Sequence, residues 1–168
     1  MSEQKLRAGI IGLGVGQSHA KGYLSSPDAE LIAVCDANET RLNEFAALWK
    51  VSRRYTDYQQ MLEEAELDVV SICLPNALHA SASIEALDHG IHVVCEKPMA
   101  QSITEAKQMI EAAERNQKHL MVAYNYRYRP DSQWMYRMVQ SGKLGTIYHI
   151  NASWRRETGI PGWGWFGS

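Results

Sequence analysis

The segment Leu6-Arg-Ala-Gly-Ile-Ile-Gly-Leu-Gly-Val-Gly-Gln-Ser-His-Ala20 decides the fold. It begins with an apolar run, Leu6–Ile11, that is typical of a buried strand, and continues with glycines at every second position up to Gly16. A short amphipathic stretch from Gln17 to Ser25 follows and predicts a helix. A strand, a glycine-rich turn and a helix in this order indicate the first unit of an α/β sheet.

The same alternation of apolar runs and amphipathic stretches continues along the first two-thirds of the chain. One helix carries a capping box, Ser102-Ile-Thr-Glu105, with Ile103, Ala106, Ile110 and Ala113 predicted on its inner face. Strands that are apolar along their whole length indicate a parallel sheet covered on both faces. With right-handed crossovers, the sequence predicts a doubly wound parallel sheet of the Rossmann type. The further strand predictions are Leu31–Cys35, Arg53–Tyr55, Val69–Cys73, Ile91–Cys95 and Leu120–Ala123.

The pattern changes near residue 125, which divides the chain into a predicted Rossmann domain, 1–124, and a following segment, 125–168. That segment begins with a helix over Asp131 to Ser141, followed by a period-two strand after Gly145. We interpret it as a linker helix and the first strand of a second, open-sheet α+β domain, of which only the start is present. Alternatively, it packs back on the first domain or pairs with another subunit. The predicted inward residues are Trp134, Met135, Met138 and Val139 on the helix, and Tyr148, Ile150, Ala152 and Trp154 on one strand face.

The composition narrows the class of protein and its partners. The 168 residues include 17 Lys and Arg against 19 Asp and Glu, a net charge of −2, which disfavours nucleic acid or an anionic membrane surface as partner. No apolar run reaches the roughly 18 residues of a membrane span, and the N-terminus leaves no room for a signal peptide. Three cysteines without close or ligand-like spacing predict a reducing, cytoplasmic compartment, with neither a disulfide scaffold nor a zinc site.

The glycine turn predicts a phosphate-binding site. Without Cβ atoms at Gly12, Gly14 and Gly16, the backbone can approach a pyrophosphate, and the following helix presents free N–H groups to it. Asp36 ends the second strand, where its carboxylate can accept hydrogen bonds from a ribose 2′-hydroxyl and repel a 2′-phosphate. These features favour NAD over NADP. The alternatives are an ordinary tight turn, and an Asp36 that only caps the next helix.

Two further segments end neighbouring strands on the same edge of the predicted sheet. Glu96-Lys97-Pro98 follows the fifth strand, and there a lysine can hold a substrate hydroxyl and assist removal of its proton. Leu74-Pro-Asn-Ala-Leu-His79 follows the fourth strand, and its backbone and Asn76 are expected to line the nicotinamide ribose. Each of the three side chains also has a purely structural interpretation. Lys97 would be a surface lysine in a turn fixed by proline, Asn76 would cap a helix, and His79 would lie on the surface of a helix's first turn.

The chain resembles the glucose-fructose oxidoreductase, inositol dehydrogenase and rhizopine-catabolism (Gfo/Idh/MocA) family. The resemblance rests on an ordered set of short motifs that runs along nearly the whole chain. The motifs are Gly12-Leu-Gly-Val-Gly-Gln-Ser-His-Ala20, Val34-Cys-Asp36, Tyr55-Thr-Asp-Tyr58, Pro75-Asn-Ala-Leu-His79, Cys95-Glu-Lys-Pro98, Tyr124-Asn-Tyr-Arg-Tyr-Arg-Pro130 and Gly142-Lys-Leu-Gly145.

The resemblance implies a nicotinamide-dependent oxidoreductase that acts on a sugar, a cyclitol or a related polyol. It carries the family's catalytic lysine onto Lys97 and makes Asn125 a neighbour of the cofactor. It also implies a second domain that supplies an aspartate and a histidine to the substrate pocket, and no histidine of this chain matches that motif. The predicted cofactor-binding residues are Gly12, Gly14, Val15, Gly16, Asp36, Pro75, Asn76, His79, Glu96, Lys97 and Asn125, and no metal ligand is predicted.

Two functional hypotheses follow. In the first, the chain is the NAD-binding portion of a dehydrogenase and binds NAD with little or no turnover alone. In the second, it is a non-catalytic dinucleotide-binding or assembly module, whose strand near 146–155 pairs with another chain. Lys97 beside Glu96 at the binding edge favours the first hypothesis, and a missing second domain favours the other. A small-molecule substrate and a homo-oligomer are the expected partners.

Overall fold

The computed structural model describes residues 4–153 and 155. Its centre is one sheet of six parallel strands in the order β3-β2-β1-β4-β5-β6. The strands are β1 (Leu6–Ile11), β2 (Ala29–Cys35), β3 (Arg53–Tyr55), β4 (Val69–Ile72), β5 (His92–Cys95) and β6 (Leu120–Val122). The helices are α1 (Gly16–Ser25), α2 (Glu39–Trp49), α3 (Tyr58–Glu64), α4 (His79–Asp88), α5 (Ile103–Arg115) and α6 (Pro130–Gln140). The doubly wound parallel sheet is therefore confirmed.

The strand order reverses between β1 and β4. The chain runs outward from β1 to β2 and β3, then returns to the other side of β1 with β4 and continues to β5 and β6. The loops that leave β1 and β4 therefore turn in opposite directions and leave a crevice at the carboxyl ends of these two strands. In open α/β sheets, ligands bind in that crevice.

Two apolar cores cover the two faces of the sheet, as expected for strands buried on both sides. Neighbouring residues of β1 point to opposite faces: Ile10 packs with Phe45 of α2 in one core, and Ile11 packs with Met61 of α3 in the other. The core beside Ile11 also contains small residues of α4 and α5. Strands β1 and β2 therefore pack against apolar residues on both faces, whereas the core residues of β4 and β5 all belong to the core beside Ile11.

Helix caps agree with the sequence signals, whereas the predicted inner face of one helix is only partly correct. The capping box of Ser102 and Glu105 is present at the start of α5. The predicted inner face of α5 included Ile103 and Ile110, but these side chains are 78% and 46% exposed. Of the predicted inner residues Ala113 is buried, and the other buried residues of the helix are Met109 and Ala112. All three share a core with the small residues Ala82 and Ala86 of α4. Small residues allow two helices to approach closely, and this decided which face of α5 points inward.

The chain divides into two compact units, the first ending at Asn125 and the second beginning at Tyr126. Helix α6 forms in the second unit as predicted, but its residues are not buried: Trp134 is 59% and Met135 is 55% exposed. The expected inward packing is wrong for the described chain, because α6 is the only α-helix or strand among the second unit's described residues. Among those residues there is no second α-helix or strand against which α6 could pack.

The strand predicted after Gly145 is also wrong as far as the structure describes that segment. Residues 146–153 and 155 contain no strand, and Tyr148 and Ile150 are 95% and 77% exposed. A strand requires a neighbour that satisfies its backbone N–H and C=O groups, and no described residue pairs with this segment. Trp154 and the tryptophan- and glycine-rich end of the chain lie outside the described residues. That segment 125–168 begins a second domain therefore stays a prediction.

Candidate cofactor and active site

All the sequence segments singled out above leave the sheet at its carboxyl edge. The glycine turn follows β1, Asp36 follows β2, the segment from Leu74 to His79 follows β4, and Glu96 with Lys97 follows β5. Because the strands are parallel, their carboxyl ends lie along one edge of the sheet. The fold thus gathers residues that are up to 85 positions apart in sequence, from Gly12 to Lys97, along one edge.

The three glycines of the turn serve different purposes. Gly12 has a φ of +90°, and a Cβ atom there would lie less than 3.0 Å from the backbone carbonyl of Cys73 in the loop after β4. A Cβ at Gly16 would press on Ile10, so this glycine allows α1 to approach β1. Gly14 differs from both, since a Cβ there would meet nothing within 4 Å. Gly14 therefore faces open space that a ligand can approach.

The start of α1 has the properties of an anion-binding site. Val15 occupies the N-cap position and offers no side-chain hydrogen bond to the helix. The N–H groups of a helix's first turn have no partners within the helix and carry the positive end of its dipole. These uncapped N–H groups beside the open surface of Gly14 fit the pyrophosphate of a dinucleotide.

Asp36 is buried, and its carboxylate holds the glycine turn against the end of β2. The backbone N–H of Leu13 donates to Oδ2 at 2.9 Å, and the N–H of Asn38 donates to Oδ1 at 2.9 Å. The Arg41 guanidinium adds a contact of 3.2 Å to Oδ2. The side chain of Asn38 caps α2, so the alternative in which Asp36 is merely that cap is wrong. A carboxylate has about four acceptor positions, so these three donors leave capacity for one more.

Glu96 and Lys97 lie at the carboxyl end of β5. The Glu96 carboxylate is 19% exposed, and its Oε2 accepts a hydrogen bond of 3.1 Å from the backbone N–H of Lys97. The Lys97 residue itself is exposed at this edge. The two neighbours are thus coupled through the backbone, with the carboxylate turned inward.

His79 lies inside the protein, so the alternative of a surface residue is wrong. It is 1% exposed, with Nδ1 at 2.6 Å from the carbonyl oxygen of Pro98 and Nε2 at 2.8 Å from that of Leu74. The ring therefore connects the loop after β4 to the loop after β5. The contact with Pro98 holds the residue that directly follows Lys97 in place.

The remaining predicted residues lie at the surface of the same edge. Pro75 is exposed and precedes a short 3-10 helix, Asn76–Leu78, in which Asn76 is half-buried. Val15 is 50% exposed, and Asn125, which follows β6, is also exposed. These positions are accessible to a ligand, and their part in binding one stays a prediction.

The sequence analysis assigned no role to three polar residues behind this edge, although His19 lies within the first of the quoted motifs. His19 and Tyr23 project from α1 and Ser71 from β4, and all three are joined by hydrogen bonds that end at Glu96. One signal was available for Ser71, since it is a polar residue in the otherwise apolar strand Val69–Ile72. The sequence offered no comparable signal for Tyr23.

Other chemistries find little support among the residues that the structure describes. No group of three or more His, Cys, Asp or Glu side chains there could hold a metal ion. The three cysteines are free and buried, and burial raises the pKa of each thiol, which disfavours the reactive thiolate. In the same part of the chain, no helix is long and apolar enough to cross a membrane.

A crevice at the strand reversal, an open glycine and an uncapped helix start together define a dinucleotide-binding domain of the Rossmann class. Comparison with known families makes the assignment more specific. A model of the GFO/IDH/MocA oxidoreductase family, described as having an NAD-binding Rossmann fold, matches residues 6–124. The chain belongs to this family and carries its NAD-binding domain, so the resemblance drawn from the sequence motifs is confirmed.

Similar proteins include both sugar and cyclitol dehydrogenases. D-glucoside 3-dehydrogenase of Escherichia coli (strain K12) is 37% identical over 168 residues, 99% of this chain and 48% of the relative. The crystal structure of the WlbA dehydrogenase from Bordetella pertussis, in complex with NADH and UDP-GlcNAcA, is 29% identical with a TM-score of 0.82. That match covers 86% of this chain and 45% of the other.

The crystal structure of myo-inositol 2-dehydrogenase from Lactobacillus plantarum is 27% identical with a TM-score of 0.80. The match covers 86% of this chain and 43% of the inositol dehydrogenase chain. The chain thus spans about half the length of the relatives that it matches.

Proposed function

We propose that the chain is the cofactor-binding portion of an NAD-dependent dehydrogenase that oxidises a hydroxyl group of a sugar, cyclitol or related polyol. The observation that carries this proposal is the position of Lys97, which is exposed at the sheet edge where the glycine turn and Asp36 also lie. A binding module would need the turn and the carboxylate, but it would not need a lysine there.

Each residue has a part that follows from its chemistry. The N–H groups at the start of α1 hold the pyrophosphate, and Gly14 leaves room for it. Asp36 accepts a ribose hydroxyl, while Lys97 holds the substrate hydroxyl and assists the removal of its proton. NAD held by these residues would supply the acceptor for the hydride of the substrate carbon. A further domain would supply the remaining acid–base group and most of the substrate contacts.

Isothermal titration of the purified chain with NAD tests the first part of this proposal. We expect binding of about −5 to −8 kcal/mol, which corresponds to a sub-millimolar to micromolar dissociation constant. NADP should bind at least about tenfold more weakly, because its 2′-phosphate meets the Asp36 carboxylate. Absence of binding for both cofactors would contradict the proposal for this chain.

The Asp36→Asn variant tests the source of the preference for NAD. Removing the negative charge should narrow the ratio of NADP to NAD dissociation constants by about tenfold, or about 1.4 kcal/mol. The amide cannot accept from both Leu13 and Asn38, so the free energy of unfolding should also fall by about 1–3 kcal/mol. Asp88→Asn is the matched control, because Asp88 also pairs with an arginine, Arg115, but lies on α4 away from the edge. An unchanged ratio in Asp36→Asn would disprove this role.

Further features of the complete protein are part of the same proposal. We infer a cytoplasmic location, supported by three cysteines that are free and buried. A small polyol or sugar is the proposed substrate partner, rather than nucleic acid or a membrane surface, in keeping with the net charge of −2. Assembly into a homo-oligomer belongs to the proposal for the complete protein and would be measured by light scattering.

A further inference from the structure

Four polar side chains form a continuous hydrogen-bonded chain behind the candidate site. The Tyr23 hydroxyl lies 2.8 Å from Ser71 Oγ, which lies 2.9 Å from His19 Nδ1. The other ring nitrogen, Nε2, lies 3.1 Å from Glu96 Oε1. We refer to Tyr23, Ser71, His19 and Glu96 as the polar chain.

The polar chain crosses the fold where the strand order reverses. Tyr23 and His19 lie one turn apart on α1, which follows β1, while Ser71 lies within β4 and Glu96 at the end of β5. Ser71 is 0% exposed, and the His19 and Glu96 side chains are 12% and 19% exposed. Burying polar groups costs free energy unless each is satisfied, so a connected network at this place strongly restricts the positions of its members.

The direction of the hydrogen bonds follows from the two ends of the polar chain. The Glu96 carboxylate can only accept, so His19 donates from Nε2–H, and with a neutral ring Nδ1 accepts from the Ser71 hydroxyl. The Ser71 oxygen then accepts from Tyr23. The hydrogen bond from His19 is the largest of the influences that lower the pKa of the Glu96 carboxyl, against the opposing effect of burial. Glu96 is thus held as a carboxylate.

The effect of the polar chain reaches Lys97 through the other carboxylate oxygen. Oε2 of Glu96 accepts the backbone N–H of Lys97 at 3.1 Å, while Oε1 is held by His19. We propose that His19 is a positioning residue that fixes the Glu96 carboxylate against the Lys97 backbone and thereby orders the nicotinamide end of the cofactor site. The adenosine and pyrophosphate end is formed by other groups, which are the glycine turn, the N–H groups at the start of α1 and Asp36.

This inference rests on the proposed function, and two ligands separate the two ends of the site. ADP-ribose contains the adenosine and pyrophosphate of NAD but lacks the nicotinamide. We expect His19→Phe to weaken binding of NAD on the order of tenfold, while ADP-ribose binding changes less than about twofold. His19→Gln retains a side-chain N–H donor for Glu96, so it should restore most of the lost NAD affinity.

A second variant tests the inference even if His19→Phe does not fold. Ser71→Ala removes one oxygen atom and should weaken NAD in the same selective way. Its matched control is Ser83→Ala, because Ser83 is equally buried but lies on α4 outside the polar chain. Backbone amide exchange measured without any ligand gives an independent result: the Lys97 amide should exchange about fivefold faster or more in Ser71→Ala, and not in Ser83→Ala.

The possible results distinguish failure of this inference from failure of the proposed function. If the unmodified chain binds neither NAD nor ADP-ribose, the proposed function fails, while the amide exchange of Lys97 still tests the positioning. If both ligands bind, equal losses of affinity for the two in His19→Phe and Ser71→Ala overturn the inference. Unchanged affinity and unchanged Lys97 exchange in Ser71→Ala overturn it as well.

Discussion

Replacing Lys97 with methionine in the complete protein is expected to lower the rate of polyol oxidation by about 10²–10⁴-fold, the usual contribution of a positioned acid–base group. Methionine keeps the apolar stem of lysine but has no amine that could hydrogen-bond the substrate hydroxyl or take its proton. The measurement is the steady-state rate of NADH formation at saturating NAD and polyol.

The selectivity of this loss distinguishes a catalytic lysine from a structural one. NAD binding to the 168-residue chain should change by less than about threefold in Lys97→Met, because the glycine turn, Asp36 and the backbone N–H of residue 97 that donates to Glu96 all remain. Lys107→Met is the matched control, since Lys107 is also an exposed lysine but lies on α5. Retention of more than a tenth of the rate in Lys97→Met would exclude the proposed role of this residue.

Replacing Gly12 with alanine is expected to lower the free energy of unfolding by about 3–5 kcal/mol, through unfavourable backbone geometry together with overpacking. The φ of +90° is strained for alanine, and its Cβ would press on the backbone carbonyl of Cys73. The backbone at Cys73 cannot move away easily, because its N–H donates a hydrogen bond to the carbonyl oxygen of Ile11 at the end of β1. Urea unfolding followed by circular dichroism measures the change.

Gly14→Ala is the control that separates folding from binding in the same turn. Its Cβ would meet no atom within 4 Å, so the free energy of unfolding should change by no more than about 0.5 kcal/mol. NAD affinity should nevertheless fall, because the added methyl group occupies the space that the pyrophosphate approaches. A loss of stability in Gly12→Ala as small as that in Gly14→Ala would contradict the account of this turn.

Much of the site could be predicted because each of its parts directly follows a strand. The glycine turn, Asp36 and the Glu96–Lys97 pair all end apolar runs, and a parallel sheet brings such ends to one edge. The contacts behind that edge could not be predicted in this way. From the sequence, a surface position and a ligand contact were equally good interpretations of His79. Only the folded arrangement of the loops after β4 and β5 places its ring between two carbonyl oxygens.

The sequence by itself determined the class of fold, the succession of strands and helices up to residue 124 and the family, because these depend on local hydrophobic periodicity and on short motifs. Only the tertiary structure decided which side chains meet across distant elements. The polar chain joins residues separated by up to 77 positions, and the inward face of α5 depends on the small residues of α4 that it packs against. Such contacts depend on the packing of several elements together, and no local pattern specifies them.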